Sequence, residues 1–147
     1  MRRLTARRGS LTLTAVVKSP GKASPSVLVV VTSVGTEQQA LEIARRLVES
    51  RLAACVNILP GVRSVFRWKG RVQDEGEFLL MAKTVKENFE RVRETMKELN
   101  AYELPEILGF PADYADPAFA RWVAECSTGI ENPSDDDDED PGEATID

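Results

Sequence analysis

The stretch 53–84, AACVNILPGVRSVFRWKGRVQDEGEFLLMAKT, decides the fold. Two runs with strand character lie before and after Lys69-Gly70, a dipeptide that is typical of a tight turn between paired strands. Pro60-Gly61 interrupts the first run, and because proline cannot donate to a strand ladder we expect a bulge or bend there. The stretch therefore predicts one β-hairpin whose strands are far longer than the usual length of about five or six residues.

The length of this hairpin indicates an oligomer. At about 3.3 Å per residue, a dozen paired residues extend for roughly 40 Å, which is more than two helices can cover. Phe66 and Trp68 lie near the tip, so a lone subunit would expose apolar side chains and open strand edges to water. Other copies of the chain can cover both, and we predict a homo-oligomer that is joined through the hairpin.

Further strands and helices flank the hairpin. Residues 26–32 form a continuous β-branched run, which predicts a strand buried on both faces. Thr36 begins a capping-box pattern for a first helix and Thr84 begins another for a second helix. Residues 104–110 predict a short edge strand because prolines interrupt it, and Asp116 caps a last helix. Apolar residues at helical spacing predict the buried stripes: Ala40, Leu41, Ala44, Leu47 and Val48 in the first helix, and Val85, Phe89, Val92, Met96 and Leu99 in the second.

This order of elements is that of an α+β protein. Two helices on one face of a four-stranded antiparallel sheet form a ferredoxin-like split βαβ sandwich, βαββαβ, which is followed here by a C-terminal helix. The long hairpin between the second and third strands is the addition that makes the predicted fold an oligomer.

Charge divides the 147 residues into three parts. Residues 1–26 carry six basic residues and no acid, and residues 127–147 carry nine acids and no base. Neither end holds enough apolar side chains to offset the loss of chain entropy. We therefore predict a basic disordered extension over 1–26, a domain over 27–126 and an acidic disordered tail over 127–147. The longest aliphatic run is too short to span a membrane, and the slightly negative core argues against nucleic-acid binding.

The chain contains no histidine and only two cysteines, Cys55 and Cys126. The missing imidazole removes Ser–His and Cys–His nucleophile pairs, histidine general bases and histidine-clamped zinc or copper. Two cysteines are also too few for a four-cysteine zinc site. Since the sequence offers no pair of nucleophile and base, we predict that the protein is not an enzyme.

Four separate segments together resemble one known family. They are residues 44–61, ARRLVESRLAACVNILPG; 65–70, VFRWKG; 77–84, EFLLMAKT; and 101–111, AYELPEILGFP. In their order and spacing they closely resemble the CutA divalent-cation-tolerance family, over nearly the whole core. The resemblance implies a ferredoxin-like homotrimer, usually cytoplasmic, that is linked to tolerance of copper and other divalent cations.

The resemblance also supplies a candidate metal ligand. Cys55 matches the cysteine of the family's AACVN segment, and a soft thiolate can bind Cu(I), although one sulfur is not a complete site. The alternative is a small apolar residue packed in a strand. Family members commonly carry a His-Pro-Tyr-like stretch before the fourth strand, with histidines proposed as copper ligands. Here the stretch begins with Asn100, and asparagine is a poor copper ligand.

Polar and aromatic residues of the same segments are candidates for a cleft between subunits that takes a small anion or metabolite. In that cleft Glu106 can pair with Lys83 or accept a ligand. The alternative is that the aromatic residues belong to the core and the interface, while the charges form pairs at the rim. The candidates are Arg67, Trp68, Lys83, Tyr102 and Glu106.

Two functions therefore remain open. The first is a homotrimer that acts in divalent-cation tolerance, copper included, in a binding or scaffold role with no required cofactor. The second is a sensor or regulator that binds a small ligand between subunits, by analogy with the trimeric PII signalling proteins. Copper binding that depends on Cys55 favours the first function, and ligand binding without copper binding favours the second.

Overall fold

The computed structural model of the chain describes residues 25–129. Within them, four strands and three helices follow in the order β1 (Leu28–Val34), α1 (Glu37–Glu49), β2 (Cys55–Trp68), β3 (Arg71–Thr84), α2 (Phe89–Leu99), β4 (Ile107–Pro111) and α3 (Pro117–Cys126). The predicted extension and tail lie outside the described residues, except for 25–26 and 127–129. No helix within this range is long and apolar enough to cross a membrane.

The four strands form one antiparallel sheet in the order β2-β3-β1-β4. On one side of β1, Leu28 lies opposite Thr84 and Val34 lies opposite Phe78 of β3. On the other side, Leu28 lies opposite Pro111 of β4. The predicted α+β class and the edge position of the fourth strand are both confirmed.

The predicted hairpin is present at its full length. β2 and β3 contain 14 residues each. They are joined at Lys69 and Gly70, which have φ angles of 47° and 79°, as a two-residue turn with positive φ at both central positions requires. β1 pairs only with residues 78–84 of β3. Residues 62–77 therefore project beyond the partner strand, and we call them the arm.

A bulge separates the arm from the sheet. The pairing of β2 with β3 shifts register between Leu59 and Val62, which confirms the irregularity predicted at Pro60 and Gly61. Gly61 has a φ of 73°, in the left-handed region that glycine adopts without steric cost. An extra residue in one strand bends the ladder, so the arm leaves the sheet at an angle.

The main hydrophobic core lies between α1, α2 and one face of the sheet. Ile43 and Leu47 of α1 and Met96 of α2 are fully buried there. They pack in one cluster with Val30 of β1 and Leu80 of β3. Both helices therefore cover the same face of the sheet.

The buried face of α1 differs in part from the prediction. Ala40, Ala44 and Leu47 are buried as expected, but Leu41 and Val48 are exposed. The buried positions follow the i, i+3, i+4, i+7 spacing of one helix face. Leu41 and Val48 lie seven residues apart at its margin, so the predicted stripe was too wide.

One of the predicted helix starts is also wrong. The Thr36 hydroxyl accepts a hydrogen bond from the Gln39 amide at 3.2 Å, which confirms the start of α1. Thr84, however, remains in β3, and its hydroxyl donates to the Leu52 carbonyl at 2.6 Å. A short 3-10 turn follows, and α2 begins only at Phe89. The strand ladder and the Leu52 carbonyl thus prevail over the local capping pattern.

Helix α3 fixes the end of the domain beside its beginning. Ala120 and Val123 pack on Val27 and Ala54 in a second, smaller cluster. The amide of Ala112 donates to the Val27 carbonyl at 2.9 Å. The residue that enters β1 therefore contacts the last helix.

Asn88 connects three parts of the chain. Its buried side-chain amide donates to the Leu52 carbonyl at 3.2 Å and to the Ser127 carbonyl at 2.7 Å. The loop after α1, the start of α2 and the segment after α3 are held together by this one amide group.

Replacing Asn88 by alanine should lower the free energy of unfolding by about 2 kcal/mol, because the Ser127 carbonyl loses a donor in buried surroundings. Denaturant unfolding of the full chain measures this loss. Gln38→Ala is the matched control, because Gln38 is exposed on α1 and such changes stay within about 0.5 kcal/mol. Equal stability of the two variants would contradict the role of Asn88.

Candidate functional site

The five predicted cleft residues fall in three places within one chain. Arg67 and Trp68 lie at the tip of the arm, and Tyr102 and Glu106 lie in the loop before β4. Lys83 lies near the end of β3. The loop contacts both the root and the tip of the arm, whereas Lys83 is remote from it.

The proposed pairing of Lys83 with Glu106 is not formed within one chain. Lys83 lies opposite Val29 of β1. The Ser33 hydroxyl donates to Glu106 at 3.3 Å, and Ser33 is four residues, or about 13 Å, further along β1. Any pairing of these two charges would have to join different subunits.

A network of hydrogen bonds holds the loop before β4. The side-chain amide of Asn100 donates to the Ser33 carbonyl at 3.1 Å, and its oxygen accepts from the Tyr102 amide at 2.9 Å. Asn100 begins the stretch in which the family resemblance implies a histidine. In this chain the side-chain amide of Asn100 holds the loop before β4 in place.

Tyr102 connects this loop to the root of the arm. A Cβ added at Gly35 would lie 3.2 Å from the Tyr102 hydroxyl, so a larger residue at this position would push the hydroxyl away by a few tenths of an ångström. The hydroxyl interacts with Glu77, a carboxylate that is only 7% exposed. Burial first, and then the hydrogen bond and negative charge of Glu77 and the charge of Glu75, raise the pKa of Tyr102 to about 12. Tyr102 is therefore a neutral donor beside a buried anion.

The tip of the arm contacts the same loop. The Lys69 ammonium lies 3.3 Å from the Glu103 carboxylate and 5.6 Å from the centre of the Trp68 ring. Both partners of the ion pair are largely exposed, so the pair itself contributes little to stability. Its position shows that the arm bends over the loop before β4.

Tyr102→Phe tests the contact with Glu77. The pKa of Tyr102 is higher in the folded chain than its ordinary value of 10. Neutral Tyr102 therefore stabilises the fold below about pH 10, and this stabilisation is lost as the pH rises through about 12. Because Tyr102 is partly exposed, we expect the variant to lose only about 1 kcal/mol of unfolding free energy near neutral pH.

The same difference in stability should shrink as the pH rises from about 10 to about 12. Denaturant unfolding of wild type and variant at several pH values gives the two curves. Tyr114→Phe is the control, since Tyr114 is 94% exposed and its loss should leave stability unchanged. A constant difference between wild type and Tyr102→Phe across this pH range would contradict the assignment.

Cys55 lies on the sheet directly opposite Lys83. Its thiol is half-buried and forms no disulfide, and opposite residues of an antiparallel pair share a face of the sheet. A cation at this thiol would therefore lie beside an ammonium group. Among residues 25–129, no three His, Cys, Asp or Glu side chains come together in a way that could hold a metal ion. The described part of one chain thus does not fit a copper centre.

The face of the sheet opposite to α1 and α2 carries an apolar patch beside Lys83 and Ser33, and we call this patch the open face. Side chains alternate between the two faces along each strand, so the residues between the core positions point to this face. Within residues 25–129 the predicted burial of β1 on both faces is only partly achieved, because Val29 and Val31 on this side are half-buried. Six apolar residues of β1, β3 and β4 form the open face: Val29, Val31, Leu79, Met81, Leu108 and Phe110.

Sequence reasoning missed the open face and the contact of Tyr102 with Glu77. The continuous apolar run 78–82 in β3, Phe-Leu-Leu-Met-Ala, was a usable signal for a sheet covered on both sides. No local signal pairs Tyr102 with Glu77, because they are distant in sequence.

Comparison with known proteins decides the family. The sequence profile described as CutA1 divalent ion tolerance protein matches residues 28–126. The chain belongs to the CutA1 family. The predicted resemblance is confirmed, and it covers every strand and helix of the described structure.

Related proteins of this family come from bacteria and from animals. The divalent-cation tolerance protein CutA of Thermus thermophilus is 42% identical over 97 residues, which are 66% of this chain and 94% of that protein. Protein CutA of Mus musculus is 35% identical over 96 residues, which are 65% of this chain. The match spans only 54% of the length of the mouse protein.

Solved CutA structures share the fold. The divalent cation tolerance protein of Thermus thermophilus superposes with a TM-score of 0.67 at 40% identity, over 69% of this chain and 98% of that one. CutA1 from Oryza sativa superposes with a TM-score of 0.68 at 30% identity, over 71% of this chain and 95% of that one. The four-stranded antiparallel sheet with three helices is therefore a CutA1 fold.

Proposed function

We propose that the protein acts in divalent-cation tolerance, copper included, as a cytoplasmic homotrimer with a binding or scaffold role and no enzymatic activity. Membership of the CutA1 family supports the role in tolerance. The open face carries the proposal of an assembly. The comparisons give no support to the alternative, a metabolite sensor.

The open face needs a cover that residues 25–129 of one chain do not supply. Leu108 and Phe110 at the edge of this face are about half exposed, 47% and 52%, although soluble monomers rarely leave large contiguous apolar patches in water. The edge strand β4 also has unpaired backbone groups on its outer side. Apolar burial contributes about 25 cal/mol per Å², so contact between copies of this face stabilises an assembly strongly.

The arm supports the same conclusion. Val65 and Val72 are well exposed on it and Phe66 is partly exposed, and its outer strand β2 is the second edge of the sheet. A closed ring of three copies gives every open face and every arm an equivalent neighbour. The sheet order β2-β3-β1-β4, with two helices on one face, supports a ferredoxin-like subunit for this ring.

Leu108→Glu should break the assembly. A carboxylate within the buried open face loses its hydration without gaining a partner, so we expect the trimer to dissociate to monomers. Leu41→Glu is the matched control, since Leu41 has nearly the same exposure, 45% against 47%, but lies on α1, away from the open face. Sedimentation velocity of the full chain distinguishes the two, and a wild type that sediments as a monomer would overturn the proposal.

The same pair of variants tests the function in cells. In a strain without its own CutA protein, wild type and Leu41→Glu should restore survival in elevated Cu²⁺, and Leu108→Glu should fail at an equal protein level. Equal protection by Leu108→Glu would show that tolerance does not need the assembly. No protection by wild type would contradict the role in tolerance itself.

A Cu(I) titration tests Cys55. One thiol beside Lys83 is a poor site for a cation, so the full chain should compete only weakly with a chromophoric Cu(I) chelator. Cys55→Ala should abolish this competition, whereas Cys126→Ala, the control with the second free cysteine, should retain it. Strong competition that persists in Cys55→Ala would contradict Cys55 as the ligand.

A further inference from the structure

Helix α3 is apolar on more than the side that packs on its own domain. Only two of its ten residues are charged, whereas α2 carries six charged residues among eleven. Val123 packs inward in the second cluster, yet Phe119 and Trp122 are exposed on the remaining surface. Their rings lie 5.7 Å apart, and we call this pair the aromatic ridge. A helix that is apolar on more than one side is typical of burial on more than one side.

The aromatic ridge borders the open face. Helix α3 packs on Val27, which lies two residues before Val29 and therefore on the same side of the sheet. Ala124, on one flank of α3, lines a cavity together with the turn before α2. At about 100° per residue, Phe119 and Trp122 lie on the opposite flank of the helix. The ridge therefore continues the apolar surface of the open face.

The arm presents a second apolar surface. Val65 lies opposite Asp74 and Arg67 lies opposite Val72, so these four side chains share one side of the arm. Tyr102 interacts with the alternate positions of β3, so this side faces away from the loop before β4. We call it the outer side of the arm. Its two valines are well exposed and lie next to the guanidinium group of Arg67.

The two surfaces carry opposite charges. Residues 112–126 contain three acids and one base, and residues 63–74 contain four bases and one acid. The three acids are exposed, as are Arg67 and Arg71. Opposite charges at the rim of an interface steer the encounter and fix its register, while apolar burial at its centre supplies stability.

The arm and α3 of one chain lie at opposite ends of the sheet. Helix α3 packs on Val27, next to the end of β3 at Thr84, whereas Val72 lies near the beginning of β3. Twelve residues separate Val72 from Thr84, which is about 40 Å of strand. The two surfaces can therefore meet only between copies. A contact between two different surfaces joins copies head to tail, and such contacts can close a ring.

We propose that α3 of one subunit binds the outer side of the arm of a neighbouring copy. The aromatic ridge lies against Val65 and Val72, and Arg67 lies beside the acids of residues 112–126. This inference rests on the proposed assembly and names two surfaces that join its copies. Helix α3 thus closes its own domain with one side and holds the arm of a second copy with the other.

Cross-linking of chains that carry one cysteine each tests this contact. In a full chain whose two native cysteines are replaced by alanine, one preparation carries Val72→Cys. The other carries Ala118→Cys, one turn before Trp122 on the same side of α3. After subunit exchange, a short bis-maleimide should join one chain of each kind. Gln38→Cys in place of Ala118→Cys is the matched control, because Gln38 is exposed on α1, and it should give no link.

Sedimentation velocity of the same samples separates this contact from the proposed function. A trimer that gives no link between positions 72 and 118, or an equal link between positions 72 and 38, would overturn the binding of the arm by α3 and leave the proposed assembly intact. A wild type that sediments as a monomer would overturn both.

Dilution of full-length variants measures what the ridge contributes. Trp122→Ala removes a large aromatic anchor, so the trimer should dissociate at a concentration more than about tenfold higher than wild type. Tyr114→Ala is the control, since Tyr114 is 94% exposed, and it should dissociate as wild type does. Circular dichroism should show the same helix and strand content in all three chains. Dissociation of a folded Trp122→Ala at the wild-type concentration would contradict the proposal.

Discussion

The difference in length between β3 and β1 governs the rest of the structure. β3 has 14 residues and β1 pairs with seven of them, so half of the hairpin has no neighbour on that side. The side chains of the arm can therefore be covered only by other parts of the chain or by another subunit. The contact of the arm tip with the loop before β4 and the exposed apolar side chains of the arm both follow from this mismatch.

The open face and the arm are two aspects of the same constraint. Helices α1 and α2 both pack on one side of the sheet, and α3 covers Val27 and Ala54 at one end of the other side. A chain of this size has no further element within residues 25–129 to cover Leu108 and Phe110. This uncovered apolar surface is the basis for the proposed assembly of copies.

The features that follow a short-range rule were predictable from the sequence. Three predictions depend on interactions within a few residues, and each is confirmed. They are the tight turn at Lys69 and Gly70, the irregularity at Pro60 in the second strand, and the helix cap at Thr36. The cap at Thr84 failed because Leu52, which is 32 residues away, offers its hydroxyl a buried acceptor. Nothing in the neighbouring sequence reports that acceptor.

The candidate site was predictable only in part, for the same reason. The family segments identified Tyr102, Glu106 and Cys55, but the contacts that define their chemistry depend on register and on the bend of the arm. Lys83 faces Cys55 because the hairpin pairs these two positions, and Glu77 meets Tyr102 because β1 ends at Val34. A shift of one residue in the β2–β3 ladder would separate Cys55 from Lys83, and a shift in the β1–β3 ladder would turn Glu77 to the other face of the sheet.

The use of Asn100 to hold the loop before β4 has a consequence for conditions in the cell. An amide does not ionise, whereas an imidazole at this position would gain and lose a proton between about pH 5 and 8. The hydrogen bonds that Asn100 donates to the Ser33 carbonyl and accepts from the Tyr102 amide therefore keep the same strength when the pH changes within that range. Asn100 therefore holds this loop in a way that does not depend on the proton concentration of the cell.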